Sequence, residues 1–321
     1  MGYEKRFSDG PYKEHLVAFV EYKRGKGEKC ARSLLVACAK ISAALPCEGV
    51  AQGLDERTVR GVLERIEGES DTSREHRVSI MRQFCSFLTT LGIACWRVPP
   101  RYFTAPRSEF RPYILSEGDI TSLLEAADSL APQIRNHGYE RSFPVLVRLL
   151  LSSGLRISEA LALEVGSFSP GDGSVLVANS KNGVTRQVPL EAGMADRVGR
   201  FVRDSGRRSG PLFLSPHTGR AYTYDATYYM FRKLYSKSGV RTESGALPRI
   251  HDLRHTFCTR SLDKMLSAGM DVYEAVPILA AYVGHVNYAN TEKYLHLTAA
   301  GHGSFVDAER RLASLIPGAV M

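Results

Sequence analysis

The stretch "RVPPRYFTAPRSEFRP", residues 97–112, most constrains how this chain can fold. It holds four prolines, four arginines and no hydrophobic period. Proline removes a backbone donor and fixes its own φ, so neither a helix nor an inner strand runs through such a segment. On both sides of it apolar residues recur at helical spacing. A chain of 321 residues also exceeds what one core usually holds. The expected organisation is a helical domain over residues 1–104, a linker at 105–112 and a larger domain over 113–321.

The first hundred residues read as helices. "PYKEHLVAFVEYKRG" places Leu16, Val17, Phe19 and Val20 on one stripe, and "ARSLLVACAKISAAL" follows. "DERTVRGVLERIEG" starts at Asp55, a natural N-cap, and carries Val59, Val62, Leu63 and Ile66. "DTSREHRVSIMRQFCSFLTTLGI" begins with Asp71 and continues through Ile80, Met81, Phe84, Phe87, Leu88 and Leu91. Past the linker, Ser116 and Asp119 form a loose capping box. "FPVLVRLLLSSGLRISEALAL" is a buried helix broken at Gly154 and restarted. "SVLVA" and "TRQVPL" read as strands joined by "NSKNG", whose Asn-Gly is a strong hairpin signal. After "GPLFLS", the run "TYDATYYMFRKLYSKSG" reads as a helix, as does most of 250–314. The fold class is thus mostly α with a small antiparallel β-sheet.

Net charge is +8 and the pI about 9.2, a balance that favours a polyanionic partner such as nucleic acid. Six cysteines (30, 38, 47, 85, 95 and 258) show neither C-x-x-C nor finger spacing. They read as reduced residues of a cytoplasmic protein. "MGYEKRFSDG" has no apolar region of the kind a signal peptide needs. The longest clean apolar run, "AVPILAAYV" at 275–283, is too short to span a bilayer.

Four stretches hold unusual polar residues: "SGLRISEA" (Arg156), "SKNGVTRQVPL" (Lys181), "HDLRH" (His251, Arg254) and "VGHVNYANTEKYLHL" (His285, Tyr294). Singly each has a plain structural reading. Arg156 suits a helix surface and Lys181 a solvated turn. His251 and Arg254, at i and i+3, suit a cap or an ion pair, and Tyr294 suits packing. Their order along one chain is what those readings leave unexplained.

Together these stretches resemble the tyrosine recombinase (phage integrase) family over roughly 110–300. "SGLRISEA" is similar to the family's first arginine block, and "SKNGVTRQVPL" to its lysine hairpin. "HDLRH" is similar to the H-x-x-R block, and "VGH" to "LGH" with Val283 in place of leucine. The family's nucleophilic tyrosine follows nine residues after that histidine, which is Tyr294. The resemblance implies a helical core-binding domain followed by a catalytic domain. It implies that Arg156 and Arg254 clamp the phosphate oxygens, His285 donates a hydrogen bond, His251 accepts or shuttles a proton, and Lys181 acts as general acid. Tyr294 would form a 3′-phosphotyrosyl link. No cofactor and no metal is implied.

Within that resemblance His255 reads as a hydrogen-bonded core histidine, Asp252 as a cap and Glu159 as the partner of a nearby cation. Tyr288, His217 and His296 are weaker candidates for the chemistry. Lys23, Arg24, Lys26, Lys29 and Arg32, in "EYKRGKGEKCARS", are candidate phosphate contacts on double-stranded DNA. Phe305, Val306, Leu312, Leu315 and Ile316 would make an amphipathic helix that docks on a neighbouring protomer in a tetramer. Accessory DNA-binding proteins are further expected partners, and no membrane is. The 34 residues from His251 to His285 resemble mobile-element integrases and transposases more than chromosome-dimer resolvases. A type IB topoisomerase, a telomere resolvase and a non-catalytic DNA-binding protein are the alternatives.

Overall fold

The computed structural model of the protein describes residues 3–28, 32–46, 53–106, 112–132, 138–178, 185–215, 218–285 and 289–298. The chain divides into two compact units, Met1–Phe110 and Arg111–Met321. The architecture is mostly helical with small antiparallel sheets, as the fold class above expects. No helix among the described residues is long and apolar enough to cross a membrane.

The first unit contains α1 (Lys13–Gly25), α2 (Arg32–Ala44), α3 (Glu56–Val62) and α4 (Asp71–Thr90). Leu16, Phe19, Val20, Ile41, Val59, Met81, Phe84 and Leu88 form its core. Phe19 sits edge-on to Phe84 with ring centroids 5.5 Å apart. Asp55 caps α3 by accepting from the Thr58 amide at 2.8 Å, and Ser70 caps α4.

Two expectations fail here. The apolar spacing carried α3 on to Ile66, but the helix ends at Val62 and Ile66 is exposed. Arginines of α4 cause the stop: Arg77 donates to the carbonyls of Val62 and Glu64, and Arg74 to that of Leu63. Leu91 is the exposed C-cap of α4 rather than a core residue. The proline-rich stretch begins inside the first unit. Val98 is buried in the first core, and Arg82 binds the carbonyls of Val98, Pro99 and Pro100.

The second unit contains α5 (Glu117–Asp128), α6 (Tyr139–Ser153), α7 (Ile157–Leu161), α8 (Ala192–Ser205), α9 (Tyr224–Ser238), α10 (Ile250–Ser267), α11 (Val272–Val283) and α12 (Ala289–Glu292). Strands β1 (Phe168–Ser169), β2 (Ser174–Val177) and β3 (Arg186–Pro189) form one antiparallel sheet. Val175 pairs with Val188 and Val177 with Arg186. Strands β4 (Leu214–Ser215) and β5 (Arg220–Ala221) form a separate pair. The sequence reading leaves out α8, although Met194, Ala195, Val198, Phe201 and Val202 recur on one helical stripe and pack on one core. Glu191 caps it through the amides of Gly193 and Met194. One core centres on Phe143, Leu146, Val175, Val188, Phe213, Phe231 and Leu253. A second lies between α10 and α11 and includes Cys258, Leu262, Leu279, Val283 and Tyr294.

The first unit's strongest polar commitment is the pair Arg77–Glu69, with both side chains 0% exposed and Nη2 to Oε2 at 2.6 Å. Breaking such a pair strands a buried charge, whereas replacing both partners by apolar groups is often tolerated. Arg77→Met is expected to cost about 3–5 kcal/mol in urea unfolding, and Arg77→Met/Glu69→Leu to recover most of that loss.

Candidate active site

The site is assembled on the end of α11. Gly284 takes a left-handed conformation with φ 69° and ends the helix. The terminal carbonyls of a helix lack partners and carry the negative end of its dipole. Here three consecutive ones receive three different arginines. Arg186 of β3 donates Nε to the Tyr282 carbonyl at 3.0 Å. Arg254 of α10 donates Nη2 to the Val283 carbonyl at 2.7 Å. Arg156, the N-cap of α7, donates Nη2 to the Gly284 carbonyl at 3.3 Å. A side chain at Gly284 would have its Cβ 2.8 Å from Arg186 Nη1.

Glu159 ties the same arginines together. It accepts from Arg156 Nη1 at 2.8 Å and from Arg186 at 3.2 and 2.9 Å, and Arg254 lies 4.0 Å away. Burial alone would raise its carboxyl. The hydrogen bonds from Arg186 and the Arg156 amide, with the charge of Arg186, outweigh that and hold it at about 2. Arg254 is 2% exposed and also donates to the Gly154 carbonyl at 2.6 Å. Burial pulls it down to about 10, so it stays a cation at neutral pH.

The histidines line this cluster. His251 is exposed in the first turn of α10 and meets the His255 ring edge-on at 4.7 Å. Burial of its packed face, then Arg254 and Arg249, lower it to about 4. His285 Nδ1 is 2.8 Å from Thr291 Oγ1. Burial, then Arg254 and Arg156, bring it to about 3. Both imidazoles are therefore neutral at pH 7. Tyr294 is 1% exposed, and its ring lies nearly parallel to that of His285 at 6.5 Å. Its hydroxyl is 2.9 Å from His255 Nδ1, and burial pushes its pKa up.

The expected residues Arg156, His251, Arg254, His285 and Tyr294 thus come together. Lys181, His217, Tyr288 and the C-terminal segment from 299 lie outside the described residues, as do Lys29 and the side chain of His296. Asp252 is the cap expected of it: its carboxylate accepts from the Arg249 amide at 2.8 Å. Glu159 pairs with cations as read. Arg186 escaped the list of candidates, although "TRQVPL" contains it; only its reach to α11 reveals it. Lys23 is a correction. It is 7% exposed, with Nζ on Gln83 at 2.6 Å and Glu28 at 2.5 Å, so packing takes it out of the basic surface. Arg24 pairs with Glu21 and lies over the Tyr3 ring, and Lys26 lies over Tyr22. Both are exposed, as is Arg32.

The phage integrase family model matches residues 114–300. The chain belongs to the phage integrase family. The protein y4rE of Sinorhizobium fredii, named an integrase/recombinase, is 28% identical over 250 residues, 75% of this chain and 79% of that protein. The XerH recombinase structure with its difH substrate covers 96% of each chain at a TM-score of 0.65 and 15% identity. The Tn1549 transposon integrase, solved with circular-intermediate DNA, covers 94% of this chain and 99% of that one at 0.62 and 19%. At those identities the two structures show a common fold. As a tyrosine recombinase of this family, the enzyme cuts and rejoins DNA strands in site-specific recombination.

Glu159→Gln removes the one carboxylate from three guanidinium groups. It is expected to cost about 3–5 kcal/mol, as for a broken buried ion pair. The native pKa near 2, against 4.5 ordinarily, means that this stabilisation is full above pH 4.5 and is lost as pH falls from there towards 2. Urea midpoints measured across that window should therefore fall less steeply with acid in the variant.

Proposed function

We propose that Arg156, Arg254, His251, His285 and Tyr294 carry the strand transfer, with Lys181 as general acid. One observation supports the reading: Arg156, Arg186, Arg254 and His285, from four separate stretches of sequence, meet at the C-terminus of α11 and around Glu159. A phosphodiester is anionic, and its non-bridging oxygens gain charge in the transition state. Arg156 and Arg254 present fixed cations to those oxygens, and neutral His285 donates a further hydrogen bond. The Tyr294 oxygen attacks phosphorus and the bond to the 5′-oxygen breaks. His251 takes the phenol proton, and Lys181 protonates the departing oxygen. A 3′-phosphotyrosyl bond holds the ester until a 5′-hydroxyl of a partner strand attacks and releases Tyr294.

The substrate is double-stranded DNA of a mobile element, integrated or excised in the cytoplasm. The family and the integrase/recombinase y4rE support that role. Arg24, Lys26, Lys29 and Arg32 contact phosphates. Four protomers assemble on two DNA sites, with the C-terminal helix docked on a neighbour and accessory DNA-binding proteins assisting.

Tyr294→Phe is expected to bind DNA and to form no detergent-stable adduct with fragments of the source genome. An adduct in that variant would sink the assignment. Binding without adducts by the native chain would favour a non-catalytic accessory protein. Arg254→Ala should slow adduct formation about 100-fold or more, since it removes charge stabilisation from the transition state. Lys181→Ala should recover on a substrate with a 5′-bridging sulfur, whose departure needs no proton; failure to recover would exclude Lys181 as the acid.

A further inference from the structure

One buried titratable group has no part in the chemistry above. His255 lies one turn after His251 on α10 and is 4% exposed. Its Nδ1 lies 2.9 Å from the Tyr294 hydroxyl, which is itself in a residue only 1% exposed. The other groups of the site are engaged elsewhere. Arg254 binds the carbonyls of Gly154 and Val283, Arg156 binds Glu159 and Gly284, and His285 meets Thr291.

The state of His255 follows from its surroundings. It is packed in the protein interior, with His251 on its own helix and the cations Lys293, Arg249 and Arg254 around it. A second positive charge there is disfavoured, and the imidazole is held neutral, down to about 3. A neutral imidazole carries one N–H, and in either tautomer Nδ1 and the Tyr294 hydroxyl share one hydrogen bond. The hydroxyl is thus paired inside the protein and offers almost no surface to a ligand. The ring packs in the core of Cys258, Leu262, Leu279 and Val283.

We propose that His255 is a positioning residue for the nucleophile: its Nδ1 holds Tyr294 in a dry, stored position, and release from His255 precedes attack on phosphorus. The inference rests on Tyr294 being the nucleophile. Loss of the imidazole leaves the buried hydroxyl only the weaker Cys258 thiol as a partner, which shifts the balance towards the released ring by about tenfold.

Tetranitromethane nitration of the full chain without DNA, mapped by peptide mass spectrometry, reads this seat directly. Tyr229, 56% exposed, and Tyr235, 1% exposed, serve as the open and buried standards. In the native chain Tyr294 should react as slowly as Tyr235. In His255→Phe it should react about tenfold faster with Tyr235 unchanged, and His255→Asn, which keeps a polar partner, should fall between. On a nicked suicide duplex His255→Phe should form its first adducts sooner than the native chain. Native Tyr294 reacting like Tyr229 would overturn the proposal, as would an unchanged rate in His255→Phe. Should Tyr235 open as well in that variant, His255→Asn decides: a rate for Tyr294 equal to native refutes the seat, and a rise supports it. An adduct formed by Tyr294→Phe would instead remove the nucleophile assignment and leave the nitration result standing.

Discussion

Three guanidinium groups on three consecutive carbonyls at the end of α11 are the interaction on which the catalytic unit depends. Tyr282, Val283 and Gly284 each accept from an arginine that arrives from a different element. The helix end supplies partial negative charge, and Glu159 supplies a full one. Without them three cations could not be packed so close, because water is largely excluded. The arrangement also explains two glycines. Gly284 must turn the chain left-handed and leave room for Arg186, and a side chain on Gly154 would collide with Phe257.

The charge balance of the site has a chemical consequence. Three arginines face one carboxylate, and the nearby histidines are neutral because burial and those arginines disfavour another charge. The pocket is thus short of negative charge by design of its framework. A phosphodiester that enters supplies it. In the proposed reaction its anion eases the charging of His251 as that ring takes the phenol proton, while His285 donates. On that proposal the cationic field is strongest where phosphorus gains charge.

Local rules made part of this legible. Arg156 and Glu159 are three residues apart, as are His251 and Arg254, and that spacing on a helix says they share a face. The break at Gly154 and the hairpin on either side of Lys181 follow from glycine and Asn-Gly chemistry. Other features come from contacts distant in sequence, and no local pattern encodes them. Arg186 is 96 residues from the carbonyl it binds. Lys23 reads as a solvated cation until Gln83, 60 residues away, is placed against it. The early end of α3 depends on Arg74 and Arg77 of the next helix. By contrast α8 was legible, since Met194, Val198, Phe201 and Val202 recur at helical spacing with arginines on the other face.

The placement of Tyr294 joins chemistry to stability. Its ring is part of the core between α10 and α11, the two helices that carry Arg254 and the carbonyl row. Taking a buried aromatic ring out of such a core costs about 1.5–3 kcal/mol in apolar burial, and the hydroxyl also leaves His255. The ring cannot leave spontaneously in large proportion against that opposition. Something that binds better to the released state must offset it. In the proposed reaction a phosphodiester held by the arginines would do so, because it gives the phenol oxygen an electrophilic phosphorus to approach in exchange for a dry seat. With Tyr294 as the proposed nucleophile, the same core that stabilises α10 and α11 would thereby make its exposure depend on the substrate being present.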